Sequence, residues 1–415
     1  MLYQLSHIRM PADRTVVRPA CVEDSNPRVA TTSNRSGRAS VSCMSHSAAT
    51  SAPTAPGVAQ FAGVRAEGVC DYADLTRTPD ALDGGGWWAI AGEFAGPVHA
   101  WRFAQVAARS QCQEGAHDGG ARAWQGPRPG LWSSTMDRDA YLHAVARTQE
   151  AIREGDVYQA NICRVLSAPV PDRPDAGALA EVLAGGNPAP YAGYLDIPGA
   201  ATTLGATDGH GSAPATSTWP GCWVVSASPE LSFAVEQGMV RSGPIKGTGR
   251  TPADLGAKDR AENVMIADLV RNDLQRICAP GTVTVTDLLA TEKHPGLVHL
   301  VSRVRGRLSD EPVRWGGVLR ALHPPGSTSG APKSSALQLI DELEPAARGV
   351  YCGQVGWIDA DAQTAMVAVA IRTFTWAGGL LRFGTGAGIT IGSDPEAEWA
   401  ETELKAARLV ALASS

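Results

Sequence analysis

Residues 137–166, DRDAYLHAVARTQEAIREGDVYQANICRVL, decide the fold. Over 137–154 the apolar residues Tyr141, Val145 and Ile152 recur at helical spacing, which predicts an amphipathic helix with one buried face. Gly155-Asp156 ends that pattern, and 157–166 is apolar and extended. A helix feeding a buried strand is the unit from which layered α/β folds are built. Working outward, Trp87-Trp88-Ala-Ile-Ala and Val98-His-Ala-Trp-Arg-Phe read as paired strands, and 223–228 and 231–235 as two more. A long helix is expected over 257–277, strands around Val283 and Val298, and a helix over 330–343. Strands over 350–358 and 365–375 then lead to a closing helix over 395–412. Residues 202–220, rich in Gly, Ser, Thr and Ala, read as a surface loop. Strands and helices interleave without a strict βαβ rhythm, which favours a mixed or antiparallel α/β architecture over a Rossmann sheet.

Composition narrows the function classes. The chain has 415 residues, 44% hydrophobic and 19% charged, with a formal net charge of −6. Without a basic cluster to release counterions from a polyanion, nucleic-acid binding is not expected. The hydrophobic content supports a large core and excludes disorder for the bulk of the chain. No apolar run reaches the roughly 18 residues of a membrane span, and the best candidate, 366–381, is interrupted by Arg372. The eight cysteines show neither CxxC spacing nor a histidine partner, so neither a zinc site nor a disulfide framework is expected, and a reducing cytoplasm is the default compartment. Residues 1–57, dominated by Ser, Thr, Ala and Arg, read as a disordered extension or an over-long start. Lysine occurs only at positions 246, 258, 293, 333 and 405 against a large excess of arginine. A lysine kept under such bias is a candidate for a role that needs an amine, which, unlike a guanidinium, can become a nucleophile.

Three segments can carry chemistry. In the closing helix Glu398, Glu401 and Lys405 fall at i, i+3 and i+7 and share a face, either solvated or functional. Just upstream, FGTGAGI (383–389) has three glycines that let the backbone approach a ligand closely. In the long helix, Asp259 and Glu262 lie one turn apart near the N-terminus, where carboxylates are also favoured by the helix dipole alone. Together with Glu398 and Glu401 they make four carboxylates, enough to hold one hard cation such as Mg²⁺. The third segment, GSTSGAPKS (326–334), is not a phosphate-binding P-loop. Pro332 stands where a glycine must precede the lysine, and it removes an N–H donor.

Read together, the ordered blocks GDVYQANICR, SASPEL, PIKGT, ENVMIADLVRNDL, VHLVS, GSTSGAPK, YCGQVGW, AIRT and GAGI followed by PEAEWAET resemble the chorismate-utilising enzymes of the anthranilate synthase component I type. The likeness runs from about residue 137 to the C-terminus. It implies a four-layer α/β/β/α sandwich with two largely antiparallel sheets. Residues 58–136 would form the N-terminal part of that fold, and 137–415 the chorismate-binding catalytic region.

The resemblance also implies roles. Mg²⁺ would be held by Glu262 and Glu401 with Glu398 as a nearby helper. The enolpyruvyl carboxylate of chorismate would meet Tyr351, Arg372 and the backbone of Gly386, Ala387 and Gly388, with Lys405 beside them, while Gly247 and Thr248 would lie against the ring carboxylate. His299 would stand near the ring and the departing oxygen. Water-adding relatives carry a lysine base where this chain has Ala160, which leaves a nitrogen nucleophile as the expectation. The lysine of PIKGT, Lys246, is the mark of the aminodeoxychorismate branch, where it is thought to bond transiently to the ring, and Glu230 matches that branch's second catalytic residue. Ser329 is closer to the anthranilate pattern. No glutaminase nucleophile motif is present, so a separate glutamine amidotransferase subunit is the implied source of ammonia. The expected product is 4-amino-4-deoxychorismate, on the route to 4-aminobenzoate and folate. Anthranilate synthase component I is the alternative, and an inactive tryptophan-binding or scaffold homologue a distant third.

Overall fold

A computed structural model describes residues 54–61, 63–108, 123–204, 215–249, 251–294 and 297–414. By contacts the chain divides into Met1–Ser51 and Ala52–Ser415, and only the second unit is described. Most of the expected 1–57 extension therefore lies outside the described residues. Its last part does not: Ala55–Phe61 is a strand, with alternate residues buried.

The core is built on strands that bury both faces. In Trp87–Gly92 every residue is buried, Trp88 and Ile90 on one side and Trp87, Ala89 and Ala91 on the other. Cys222–Ser228 behaves likewise, with Val224 facing one cluster and Trp223 and Val225 another. Such strands read as continuous hydrophobic runs because the pleat sends neighbours to opposite faces and neither face meets water. Two packed layers of sheet are the result, with helices outside each.

Hydrogen bonding joins those layers. Ala55–Phe61 pairs with Val64–Asp74 and with Tyr191–Ile197, which pairs with Cys222–Ser228. On the other side Val64–Asp74 pairs with Val98–Ala108, then Trp87–Gly92, Gln354–Asp359 and Thr364–Val369 follow in turn. The ring closes because 222–236 and 364–377 run alongside each other through both layers: Ser226 pairs with Thr373, and Leu231 with Ala368. All these pairings are antiparallel. The expected two sheets are thus two walls of one curled sheet. One wing extends it through Met239–Gly243, Ile245–Gly249, Leu297–Arg307 and Thr284–His294, and a second through Leu380–Ile389 and Gln159–Pro169.

Six α-helices are described: α1 (Arg138–Glu154), α2 (Ala176–Gly186), α3 (Ala257–Gln275), α4 (Trp315–Leu322), α5 (Lys333–Leu343) and α6 (Pro395–Ala413). Their ends follow local chemistry. The Asp137, Asp175 and Asp394 side chains accept from Ala140, Ala178 and Ala397 amides at 2.9, 3.0 and 2.8 Å, and Gly155 at φ 88° closes α1. Helices α1, α2 and α6 pack on the wall that carries the second wing, whereas α3 and α4 cover the opposite wall.

Four expectations shift. Residues 202–220 are not a simple loop, since Ala200–Leu204 and Ala215–Trp219 pair as a hairpin. The helix expected from Gly330 starts at Lys333, because Gly330 and Ala331 pair with Ala160 and Gln159. The strand expected over 365–375 breaks at Arg372, which adopts φ 51°. Helices α2 and α4 were not expected. Among the described residues, no helix is long and apolar enough to cross a membrane.

Phe233 is fully buried between the wall and α3 and α4. Phe233→Ala is expected to cost about 3–5 kcal/mol in denaturant unfolding. A loss below about 1 kcal/mol would mean that this cluster is not the core.

Candidate active site

Two segments at the ring's closing corner come first. Between the Ser226–Thr373 and Leu231–Ala368 pairs the two segments leave the ladder and are tied by Ala227 N donating to Arg372 O at 3.0 Å, Val369 N to Glu230 O at 3.0 Å and Ser228 Oγ to Val369 O at 2.6 Å. Glu230 and Arg372 both lie in this gap. Backbone N–H and C=O groups are satisfied there by specific cross-links, so the side chains are free to face a ligand.

Glu230 is 4% exposed. Burial pushes its carboxyl up to about 7, against a hydrogen bond from Ser327, the charge of Lys246 and the Ile245 backbone. A group that keeps its proton to near neutrality can give one up or take one back in that range. Arg372 is partly buried, and burial lowers its pKa. Among the described residues its guanidinium has no hydrogen-bond or ion-pair partner, so an anionic ligand would satisfy it. Its neighbour Ile371 packs on the cluster of Tyr351, Cys163 and Cys352.

Lys246 reaches inward from Ile245–Gly249. Its Nζ donates to Asn161 Oδ1 at 3.4 Å and lies 3.1 Å from where a Cβ on Gly388 would be. Gly388 faces Asn161 in the ladder, Ala387 faces Ile162, and Gly386 faces Cys163. A Cβ on Gly386 would come within 2.4 Å of Cys163 Sγ, and one on Gly384 within 2.1 Å of the Tyr351 ring. The glycines are therefore required by close packing around the site. Gly247, at φ 79°, would collide with Asp259 if it carried a Cβ. Thr248 pairs through its backbone with His299, which is buried on Leu297–Arg307; the Thr248 side chain lies outside the described residues.

The acidic residues come from α3 and α6. Burial raises Glu262, although Lys246 and Lys258 oppose it. Glu401 is half-exposed and held below the ordinary carboxylate range, chiefly by Lys405, whose Nζ sits 2.6 Å away and also donates to Gly386 O at 3.0 Å. Glu398 is almost fully buried, bonded to the Lys258 ammonium, and its Oε2 has no hydrogen-bond partner among the described residues. Hard carboxylate oxygens, one of them unsatisfied, suit Mg²⁺ by chemistry. Even so, no three described His, Cys, Asp or Glu residues converge tightly enough to hold a metal as they stand.

The structure thus brings Lys246 within electrostatic reach of Glu230, Glu262 and Glu401, and Lys405 within reach of Glu230 and Glu401. Residues that sequence alone did not place in the site also belong here. Asn161 anchors Lys246, Ser327 bonds Glu230, and Lys258 bridges α3 to α6. Gln159 is fully buried with neither amide atom bonded among the described residues, and its Nε2 is 2.4 Å from a Cβ placed on Gly388. A buried polar group without a partner calls for an explanation, and a ligand or water bound here would supply one. Asn161 and Gln159 sit in the motif GDVYQANICR, where two amides amid apolar residues of a strand were the available signal.

Comparisons with known proteins agree with this architecture. The profile of the chorismate binding enzymes matches residues 104–411, and the chain belongs to that family. It is 38% identical over 283 residues to anthranilate synthase component 1 of Streptomyces coelicolor, covering 65% of this chain and 50% of that protein. It is 35% identical over 291 residues to aminodeoxychorismate synthase component 1 of Salmonella typhimurium, covering 67% of this chain and 58% of that one. The chain therefore matches little more than half the length of these relatives. In fold it is similar to a 2,3-dihydroxybenzoate-specific isochorismate synthase of Bacillus anthracis, with a TM-score of 0.68, 20% identity and coverage of 86% of this chain and 95% of that one. Anthranilate synthase component I of Streptococcus pneumoniae gives a TM-score of 0.63 at 23% identity, covering 86% and 91%.

Two outcomes follow from the burial of charge. Between its ordinary pKa and about 7, folded Glu230 keeps a proton that the unfolded chain has lost, so this stabilisation is full at low pH and fades as pH rises through about 7. Glu230→Gln should gain thermal stability relative to wild type on going from about pH 5 to about pH 8; a pH-independent difference would contradict the assignment. Arg372→Met should raise the melting temperature, because it removes a partly buried cation with no partner among the described residues. A fall in melting temperature would show that Arg372 serves the fold rather than a ligand.

Proposed function

We propose that the chain is the synthase component of an aminodeoxychorismate synthase, which aminates chorismate with ammonia to give 4-amino-4-deoxychorismate. The observation that carries this reading is the position of Lys246. Its amine stands against the glycine strand, beside Asn161 and within the field of buried Glu230. A water-adding reaction needs a base on the strand Gln159–Pro169 at position 160, and alanine is there.

In this reading Arg372 and the amides of Gly386, Ala387 and Gly388, with Tyr351, receive the enolpyruvyl carboxylate, while Gly247 and Thr248 lie along the ring carboxylate. Lys246, acting as its neutral amine, attacks ring carbon 2; that C–N bond forms as the C4–O bond breaks, and Glu230 donates the proton with which the hydroxyl leaves as water. Ammonia then bonds to carbon 4 and the lysine departs from carbon 2, its amine restored. Glu230 accepts a proton in this second half, which closes its cycle. His299 stands on the strand next to Lys246 and serves the leaving oxygen. Glu262, Glu401 and Glu398 would hold Mg²⁺, which when bound would neutralise the ring carboxylate. Ammonia would come from a separate glutamine amidotransferase subunit.

A second reading, anthranilate synthase component I, is favoured by the 38% identity to the Streptomyces coelicolor protein and by Ser329. There Lys246 would only offset carboxylate charge.

The purified chain, given chorismate, Mg²⁺ and ammonium, should yield 4-amino-4-deoxychorismate by mass and ultraviolet spectrum. Lys246→Ala should lower its formation by about 100-fold or more while chorismate still binds. Anthranilate and pyruvate from wild type and variant alike would establish the second reading instead.

A further inference from the structure

Lys258 opens the first turn of α3 and reaches across to α6. Its Nζ bonds Glu398 and stands 3.8 Å from Glu262, one turn further along its own helix. These are two of the three carboxylates assigned above to a divalent cation. Glu398 is 3% exposed, and its Oε2 is buried with no hydrogen-bond partner among the described residues. An ammonium has therefore taken up one side of an acidic pair whose remaining oxygen is left unsatisfied. The third carboxylate, Glu401, is engaged by Lys405, which is itself tied to Gly386 O.

We propose that Lys258 is a built-in counter-cation of the metal site, resting between Glu262 and Glu398 in the free protein and swinging out when a divalent cation enters. The inference rests on the magnesium reading given under the proposed function.

The physics favours an exchange of this kind over a static tether. Two carboxylates buried near each other without a cation would repel and lose solvation. A lysine solves this with one charge, where a divalent cation would supply two. The Lys258 side chain is 40% exposed on a flexible four-carbon stem, so its outward path leads directly to water, where an ammonium is strongly hydrated. A divalent cation and an ammonium compete for the same oxygens. The metal must displace Lys258, so it should bind weakly alone and more tightly when substrate carboxylates add negative charge. By reciprocity the substrate then also binds more tightly in the presence of metal.

Lys258→Gln and Lys258→Met in the full chain, with Mn²⁺ as the probe, test the inference. Free Mn²⁺ is followed by electron paramagnetic resonance at low ionic strength, without chorismate. Both variants should bind Mn²⁺ about tenfold or more tightly than wild type, because a competing positive charge has gone. Unchanged or weaker binding would overturn the proposal and make Lys258 a strut that positions Glu398. Gln keeps a hydrogen-bonding group toward Glu398 and guards against a folding defect in the Met variant. In wild type, labelling of Lys258 by an amine-reactive ester, read by peptide mass, should rise when Mg²⁺ and chorismate are added. No rise would equally overturn the proposal. Neither readout depends on which amino product forms, so the product assay tests the proposed activity separately.

Discussion

Buried charge is the constraint on which the rest of the structure depends. Glu230, Glu262 and Glu398 are carried into the interior by a strand corner and two helices from opposite sides of the sheet. Such groups persist in a folded protein only when cations or protons accompany them. Three solutions appear side by side. Glu230 keeps its proton up to about pH 7, Glu398 takes the ammonium of Lys258, and half-exposed Glu401 takes that of Lys405. Arg372 is the inverse case, a cation without a partner among the described residues. An ensemble of this kind is costly for stability and useful for chemistry, since each unsatisfied or proton-bearing group is ready to respond to an incoming anion.

The scarcity of lysine gains meaning here. Of five lysines, 246, 258 and 405 stand among these carboxylates, and Lys333 pairs with Asp273 at 2.9 Å, where Asp273 and Glu230 line the same small cavity. In a chain that uses arginine elsewhere, positions inside the site are those where a compact, mobile ammonium matters.

Much of this was legible in advance, for identifiable reasons. The helix at 138–154 and the strand after it announce themselves because the helical pattern is long and its ends are marked by Asp137 and Gly155. The carboxylates and Lys246 could be placed together only through the family resemblance, because nothing local ties position 246 to 388 or 398. Helix α2, AGALAEVLAGG, carries three glycines and little polarity contrast, so its periodicity is faint. Helix α4 is only eight residues long. Arg372 in a left-handed conformation is invisible to pattern reading, since L-residues reach it only when tertiary contacts impose it. Gln159 escaped notice because an amide in a strand has an ordinary local explanation, and Lys258 stood out only through the scarcity of lysine, since nothing local ties it to Glu398.

The corner where 226–231 passes 368–373 has a consequence for how such a protein can diverge. Five steps of chain separate the paired positions on each side, and both anchor one wall to the other. Adding or deleting one residue on either side would reverse the facing of every side chain beyond it, emptying one core layer and turning Glu230 or Arg372 toward packed protein. New chemistry on this scaffold must therefore come by exchanging residues in place, and length variation is confined to connections far from the seam.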